Sequence, residues 1–134
     1  QVKETALRVK NIEYLGKLTS LEVQEALRKT DIFLLPTRSE GGLATALLEA
    51  GMQGCAIIAS DIPANKEIID NGENGVLVKY NSNVELKQAI IELIKSPDIR
   101  KKYGECIRNK VMNMFSWNIT VNELERMLSE LQQK

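Results

Sequence analysis

The stretch that most constrains this chain runs from Asp31 to Ala50. Asp31-Ile-Phe-Leu-Leu35 is a continuous apolar run and reads as a buried strand. Pro36 and small polar residues stop it, Gly41 and Gly42 follow, and Leu43 to Met52, dense in alanine and leucine, reads as a helix. Strand, glycine turn and helix in that order aim free backbone N–H groups at an anion. Glu40 lies on the loop, and Glu49 lies about two turns into the helix. A diphosphate at the helix N-terminus, with carboxylates accepting hydrogen bonds from sugar hydroxyls, would suit a nucleotide sugar. The plainer alternative is that the glycines only make a tight turn and Glu49 is solvated, because short glycine motifs match often by chance. Against it, Glu49 stands between Leu47-Leu48 and Ala50 on a helix apolar on most faces. A carboxylate buried there needs a partner.

The rest of the chain places this unit in an alternating pattern. Val2 to Lys10 reads as the end of a helix, and Asn11-Ile-Glu-Tyr-Leu-Gly16 as a short strand. Thr19 and Glu22 have the spacing of a capping box, opening a helix to about Lys29 with Val23, Ala26 and Leu27 on one face. Gly54 closes the helix after the glycine turn, and Cys55-Ala-Ile-Ile-Ala59 has the unbroken apolar character of a parallel strand buried on both faces. Pro63 starts a short helix to about Asp70, Asn71-Gly72 and Asn74-Gly75 mark turns, and Gly75 to Val78 is a last short strand. Ser82 and Glu85 form a second candidate capping box, whose helix carries Leu86, Ile90, Leu93 and Ile94 at helical spacing. Pro97 begins a further helix with Ile99, Tyr103, Ile107, Val111 and Met114 inward, and a final helix from Trp117 carries Val121, Leu124, Leu128 and Leu131 on one stripe.

Strands alternating with helices, then helices alone, predict an α/β fold: a parallel sheet with helices on its faces. Ligands of such sheets bind at the carboxyl ends of the strands, here the loops Gly16 to Thr19, Pro36 to Gly42 and Ser60 to Asn65.

Composition bears on what those loops could bind. The chain has 134 residues, the size of one domain, with 43% hydrophobic and 27% charged residues. Lys+Arg and Asp+Glu are 18 each, and this zero balance argues against general nucleic-acid binding. No histidine is present, which removes the commonest general base and metal ligand, and no His/Cys/Asp cluster has metal-ligand spacing. Cys55 and Cys106 read as small core residues in a reducing compartment rather than a disulfide pair. No apolar run approaches the roughly 20 residues that span a bilayer, and no signal peptide is visible at Gln1.

The chain resembles the C-terminal domain of GT-B glycosyltransferases, in particular the large family 4 of retaining enzymes. The matching pieces are Tyr14-Leu-Gly16, Asp31 to Thr37, Ser39-Glu-Gly41, Leu47-Leu-Glu-Ala50, Ile57 to Asp61, Glu67-Ile-Ile69, Asn71 to Gly75 with Leu77-Val78, and Phe115-Ser-Trp117, in family order over most of the chain. The resemblance implies a Rossmann-like sheet that is the C-terminal half of a GT-B enzyme, with a nucleotide-diphospho-sugar donor as substrate and no cofactor or metal. In the family one glutamate contacts the donor sugar, and a second takes the ribose hydroxyls. Glu49 matches the second. Glu40 matches the first by its Ser-Glu-Gly context, with eight residues between the pair where the family has seven. Gly41, Gly42, Leu43, Ala44 and Thr45 fall on the substrate-binding loop and helix start, and Gly16, Lys17 and Leu18 on the nucleobase side, where Lys17 reads as a solvated loop lysine rather than a base contact. Pro63-Ala64 departs from the two glycines of many members, and Glu67 reads as a helix-start carboxylate favoured by the dipole.

The resemblance further implies transfer of a hexose to a glycan, lipid or polysaccharide, in the cytoplasm or at the inner membrane face. On this reading residues 1–134 are a partial donor-binding domain, whose first two strands, with their diphosphate-binding Arg/Lys pair, and N-terminal acceptor domain lie outside it. The four strands would be the last four of six in the order 3-2-1-4-5-6. Such a piece is expected to be inactive alone and to self-associate or need its N-terminal domain. The alternative function is a non-catalytic Rossmann-like interaction module.

Overall fold

The structure, a computed structural model, describes residues 4, 9–38 and 45–114. Helix α1 (Ser20–Arg28) begins at Thr19 with the full capping box. The Glu22 N–H donates to Thr19 Oγ1 at 3.4 Å, and the Glu22 carboxylate accepts from the Thr19 N–H at 2.8 Å. The Thr19 N–H, and then its hydroxyl, hold the Glu22 carboxyl below the usual carboxylate range. Strand β1 (Ile32–Leu35), helix α2 (Thr45–Met52) and strand β2 (Ala56–Ser60) follow. Then come a short helix α3 (Pro63–Lys66), strand β3 (Val76–Val78), and helices α4 (Asn83–Lys95) and α5 (Pro97–Met114).

The three strands form one parallel sheet in the order β1-β2-β3, with Ile32 opposite Ala56 and Ile58 opposite Val76. This is the predicted α/β architecture. Every residue of β2 is buried, which its unbroken apolar sequence requires, since the helices cover both faces. Side chains alternate across a strand, and the core divides accordingly. Ile57 and Ala59 pack with Leu47, Ala50, Ile68, Ile107 and Val111, while Ala56 and Ile58 pack with Val78, Ala89 and Leu93.

Gly54 ends α2 with φ of +75°, as its expected capping role demands. The same glycine seats α5, because a Cβ built on Gly104 would run into the Gly54 carbonyl oxygen. Neither residue type nor spacing announces this contact, which joins positions fifty apart in the chain.

Several expectations are corrected. Residues 11–15 form no strand: no described strand lies beside them to complete a ladder, and Ile12, Tyr14 and Leu15 are 47%, 52% and 53% exposed. The helix from Pro63 ends at Lys66, short of Asp70. The Asn74 side chain takes the Ile68 carbonyl at 3.1 Å, and the Gly72 N–H that a continuing helix would send there donates to the Gly75 carbonyl instead. Glu67 is therefore the C-cap of α3 and not a helix-start carboxylate. At Ser82 only half a capping box forms. The Ser82 N–H donates to the Lys79 carbonyl, and Glu85 accepts from the Lys79 N–H at 2.8 Å.

Ile94, Ile99 and Met114 are exposed rather than inward, and so is Cys106. Cys55 is buried as expected; burial first, and then the nearby Asp31, push its thiol up, and its Sγ–H reaches the Leu27 carbonyl at 3.4 Å. Glu4 is helical, but most of the helix expected over residues 2–10 and all of the final helix from Trp117 lie outside the described residues.

Candidate functional site

Helix α2 presents two different faces. Leu47, Ala50 and Gly51 repeat at helical spacing and point into the core. The other side carries Glu49 and Met52, with Leu48 partly buried against the core between the two faces and Gln53 just past the helix end. These four, with Gln24 of α1, line a cleft of about 340 Å³. Its size falls within the roughly 300–1,000 Å³ of ligand pockets. Glu49 is exposed on this wall. The burial argument made for it from its apolar neighbours is thus corrected, because a helix packed on one side leaves the other side wet. An exposed carboxylate needs no protein partner and is free to accept from ligand hydroxyls.

Thr45, exposed, opens α2, while Glu40, Gly41, Gly42, Leu43 and Ala44 lie outside the described residues. On the other flank, Gly16 adopts φ of +70° with nothing within 4 Å of a built Cβ, so the turn rather than crowding requires glycine. Lys17 is exposed and Leu18 half-buried. This loop feeds directly into Thr19 and α1, the helix that carries Gln24 to the cleft. The fold therefore sets Glu49 across the cleft from the helix that the Gly16–Leu18 loop starts.

Sequence reasoning passed over three residues here. Gln24 is a polar residue on a helix surface and has no signal of its own. Thr37 and Asn65 carry the other two unread features. Among the described residues, Thr37 Oγ1 and Asn65 Oδ1 are buried side-chain oxygens with no hydrogen-bond partner. Asn65 is wholly buried, and its Nδ2 donates to the Ser60 carbonyl at 2.8 Å. Both residues sit just past strand ends, after β1 and β2. Buried polar atoms are nearly always paired in native proteins, so this edge of the sheet holds acceptor capacity that the described chain does not use. Asn65 stands between Ala64 and Lys66 in a four-residue helix, and nothing in that sequence marks it.

Around the same edge, Asp61 is ion-paired with Lys66 at 2.7 Å on the surface. Its N–H donates to the Val78 carbonyl at 2.8 Å and ties the β2 and β3 ends together. No group of three or more His, Cys, Asp or Glu side chains among the described residues could hold a metal ion. No helix among them is long and apolar enough to cross a membrane.

The family model described as glycosyl transferases group 1 matches residues 3–110. An uncharacterized glycosyltransferase of Methanocaldococcus jannaschii is 34% identical over 120 residues, 90% of this chain and 31% of that protein. Among solved structures, the C-terminal domain of a glycosyl transferase group 1 family protein (LpcC) from Francisella tularensis is 30% identical with a TM-score of 0.75, covering 87% of this chain and 59% of that one. Anabaena HepE in complex with UDP-glucose superposes with a TM-score of 0.82 at 18% identity, over 96% of this chain and 36% of that one. The chain thus spans about a third of such full-length relatives.

Proposed function

The chain belongs to the glycosyl transferases group 1 family, and we propose that it forms the nucleotide-diphospho-sugar-binding part of a retaining hexosyltransferase. The observation that carries this reading is Glu49, exposed on the wall of the α1–α2 cleft, on the helix that follows the carboxyl end of β1. The start of that helix lies at the edge where open α/β sheets bind nucleotides. Glu49 accepts both ribose hydroxyls, and the Gly16–Leu18 backbone lies on the nucleobase side. The segment Glu40, Gly41, Gly42, Leu43 and Ala44, with Thr45 at the helix start, takes the diphosphate and the donor sugar. HepE, whose fold this chain shares, holds UDP-glucose in its solved complex, which supports a nucleotide sugar as ligand.

In this role the chain's residues bind and orient. Backbone N–H groups at the start of α2 stabilise the leaving diphosphate, and fixing the donor beside an acceptor lowers the entropic barrier to transfer. No cofactor enters the scheme. The acceptor is a glycan, lipid or polysaccharide, presented by the N-terminal domain of the whole enzyme, and the chain alone is inactive. Such an enzyme would work in the cytoplasm, on polysaccharide or lipid-linked acceptors at the inner membrane face.

Titration of UDP, GDP and ADP tests the reading, with calorimetry as the readout. One nucleotide is expected to bind in preference to the others. Losing a charge-assisted hydrogen bond costs roughly 1.5–3 kcal/mol, so Glu49→Ala should weaken that nucleotide about tenfold or more in the full-length enzyme. Unchanged affinity in a folded Glu49→Ala protein would remove Glu49 from the site.

A further inference from the structure

A second cavity lies at the carboxyl ends of the strands, and no role has been assigned to it. It measures about 220 Å³. Pro36 after β1, Ser60 at the end of β2 and Val78 at the end of β3 form its floor, so it bridges the carboxyl ends of all three strands. Tyr80, Asn81 and Asn83 form its wall. Tyr80 is 44% exposed, and Asn81 holds a left-handed backbone with φ of +62°. That conformation is costly for a side-chain-bearing residue outside glycine, although asparagine tolerates it best.

Three observations narrow the ligand. The side chains of Ser60, Tyr80, Asn81 and Asn83 make no hydrogen bond among the described residues, so the cavity offers hydroxyls and amides that both donate and accept. Its charges are already matched. Lys79, the only charged lining residue among the described residues, sits 3.9 Å from Glu85, whose carboxylate also accepts the Lys79 N–H in the first turn of α4. The positive end of α4 therefore already has its anion, which disfavours a phosphate. Finally, the volume is below the roughly 300 Å³ at which drug-sized pockets begin, too small for a nucleoside diphosphate and suited to one ring. A neutral polyhydroxy ring lying against an aromatic face meets all three conditions.

We propose that this cavity binds one pyranose ring of the acceptor glycan. The inference rests on the donor-binding reading above and extends it: donor nucleotide at α2, acceptor sugar at the β3 end. The acceptor is then gripped in part by this chain and not by the N-terminal domain alone.

Backbone NMR of the 134-residue chain, titrated with methyl α-D-glucopyranoside, methyl α-D-mannopyranoside and, separately, UDP and UDP-glucose, tests this. At least one glycoside is expected to move the amides of residues 79–83 with millimolar affinity. Tyr80→Ala should weaken it about two- to tenfold, the size of a lost aromatic face, and Tyr80→Phe should retain most of it. UDP should move the amides of residues 45–53 and leave 79–83 in place. Glycosides that move other residues only, or none, overturn the sugar site, as does binding indifferent to Tyr80→Ala. UDP-glucose moving 79–83 where the free glycosides do not assigns the cavity to the donor hexose and overturns the acceptor role. UDP binding nowhere instead counts against the donor reading, and the glycoside arm decides the cavity independently.

Discussion

The two sides of α2 obey opposite rules. On the inner side, Leu47, Ala50 and Gly51 are buried against β2 and α5, and a Cβ on Gly51 would come within 3.0 Å of Val111 Cγ2. One turn beyond the helix, Gly54 and Gly104 meet backbone to backbone. On the outer side, Glu49 and Met52 face a cleft with Gln24, and Gln53 joins them just past the helix end. The same eight residues are thus seated from behind and open in front. The lesson is that α5 is a support for the site although it supplies none of its lining. By fixing the back of α2, it lets the front carry a charged residue in water at a set position.

Breaking the back should therefore damage stability, and breaking the front should damage binding. The largest effect is expected from Ile107→Ala. Ile107 is fully buried between α5, α2 and the sheet, and truncating such a side chain costs about 2–5 kcal/mol. Urea unfolding followed by circular dichroism measures it; a loss under 1 kcal/mol would mean that α5 does not seat α2. Gly104→Ala should come next. Its added methyl meets the Gly54 carbonyl, a backbone atom that cannot rotate away, and overpacking of this kind costs roughly 1–3 kcal/mol. The same urea unfolding on Gly104→Ala, compared with an exposed Ala substitution at Glu105 on the same helix, separates the contact from helix propensity.

Glu49→Ala sharpens the comparison from the other side. Exposed surface changes usually stay within about 0.5 kcal/mol, so its unfolding midpoint should match the parent even where nucleotide affinity falls. A large loss of stability there would show that the front is structural as well.

Of the three changes expected to cost stability, the smallest is at the start of α1, the opposite wall of the cleft. Thr19→Ala removes the hydroxyl of the capping box and should cost about 1 kcal/mol. Its pH dependence has a definite sign. The Glu22 carboxyl is held low in the folded chain by Thr19. The stabilisation is therefore present above the unfolded carboxylate pKa and is lost as pH falls through the lower folded value. The gap between parent and Thr19→Ala should be widest near neutral pH and narrow in acid; thermal melts across that range would show it, and a constant gap would exclude the Glu22–Thr19 pair as its source.

Much of this was legible in the chain itself. The unbroken apolar run at 55–59 demanded a strand covered on both faces, and all of β2 is buried. Thr19 and Glu22 specified a helix start that forms as written, because both partners lie within one turn and need no distant contact. The same spacing at Ser82 and Glu85 was only half right, since a backbone N–H from the β3 end competes for the glutamate. Local pattern proposes a bond, and the groups that the fold brings nearby decide whether it forms.

Residue type and period determined the α/β class, the order of its elements, and the placing of Glu49 after the first described strand. Those depend on interactions between residues a few positions apart, which a sequence displays directly. Tertiary structure alone decided that Glu49 faces water rather than the core, that Gln24 stands with it, and that Gly54 and Gly104 touch. It also decided that the ends of three strands close around one small polar cavity. Each of these is a meeting of residues far apart in sequence. Their distance is set by how helices pack on the sheet, and the one-dimensional pattern does not contain it.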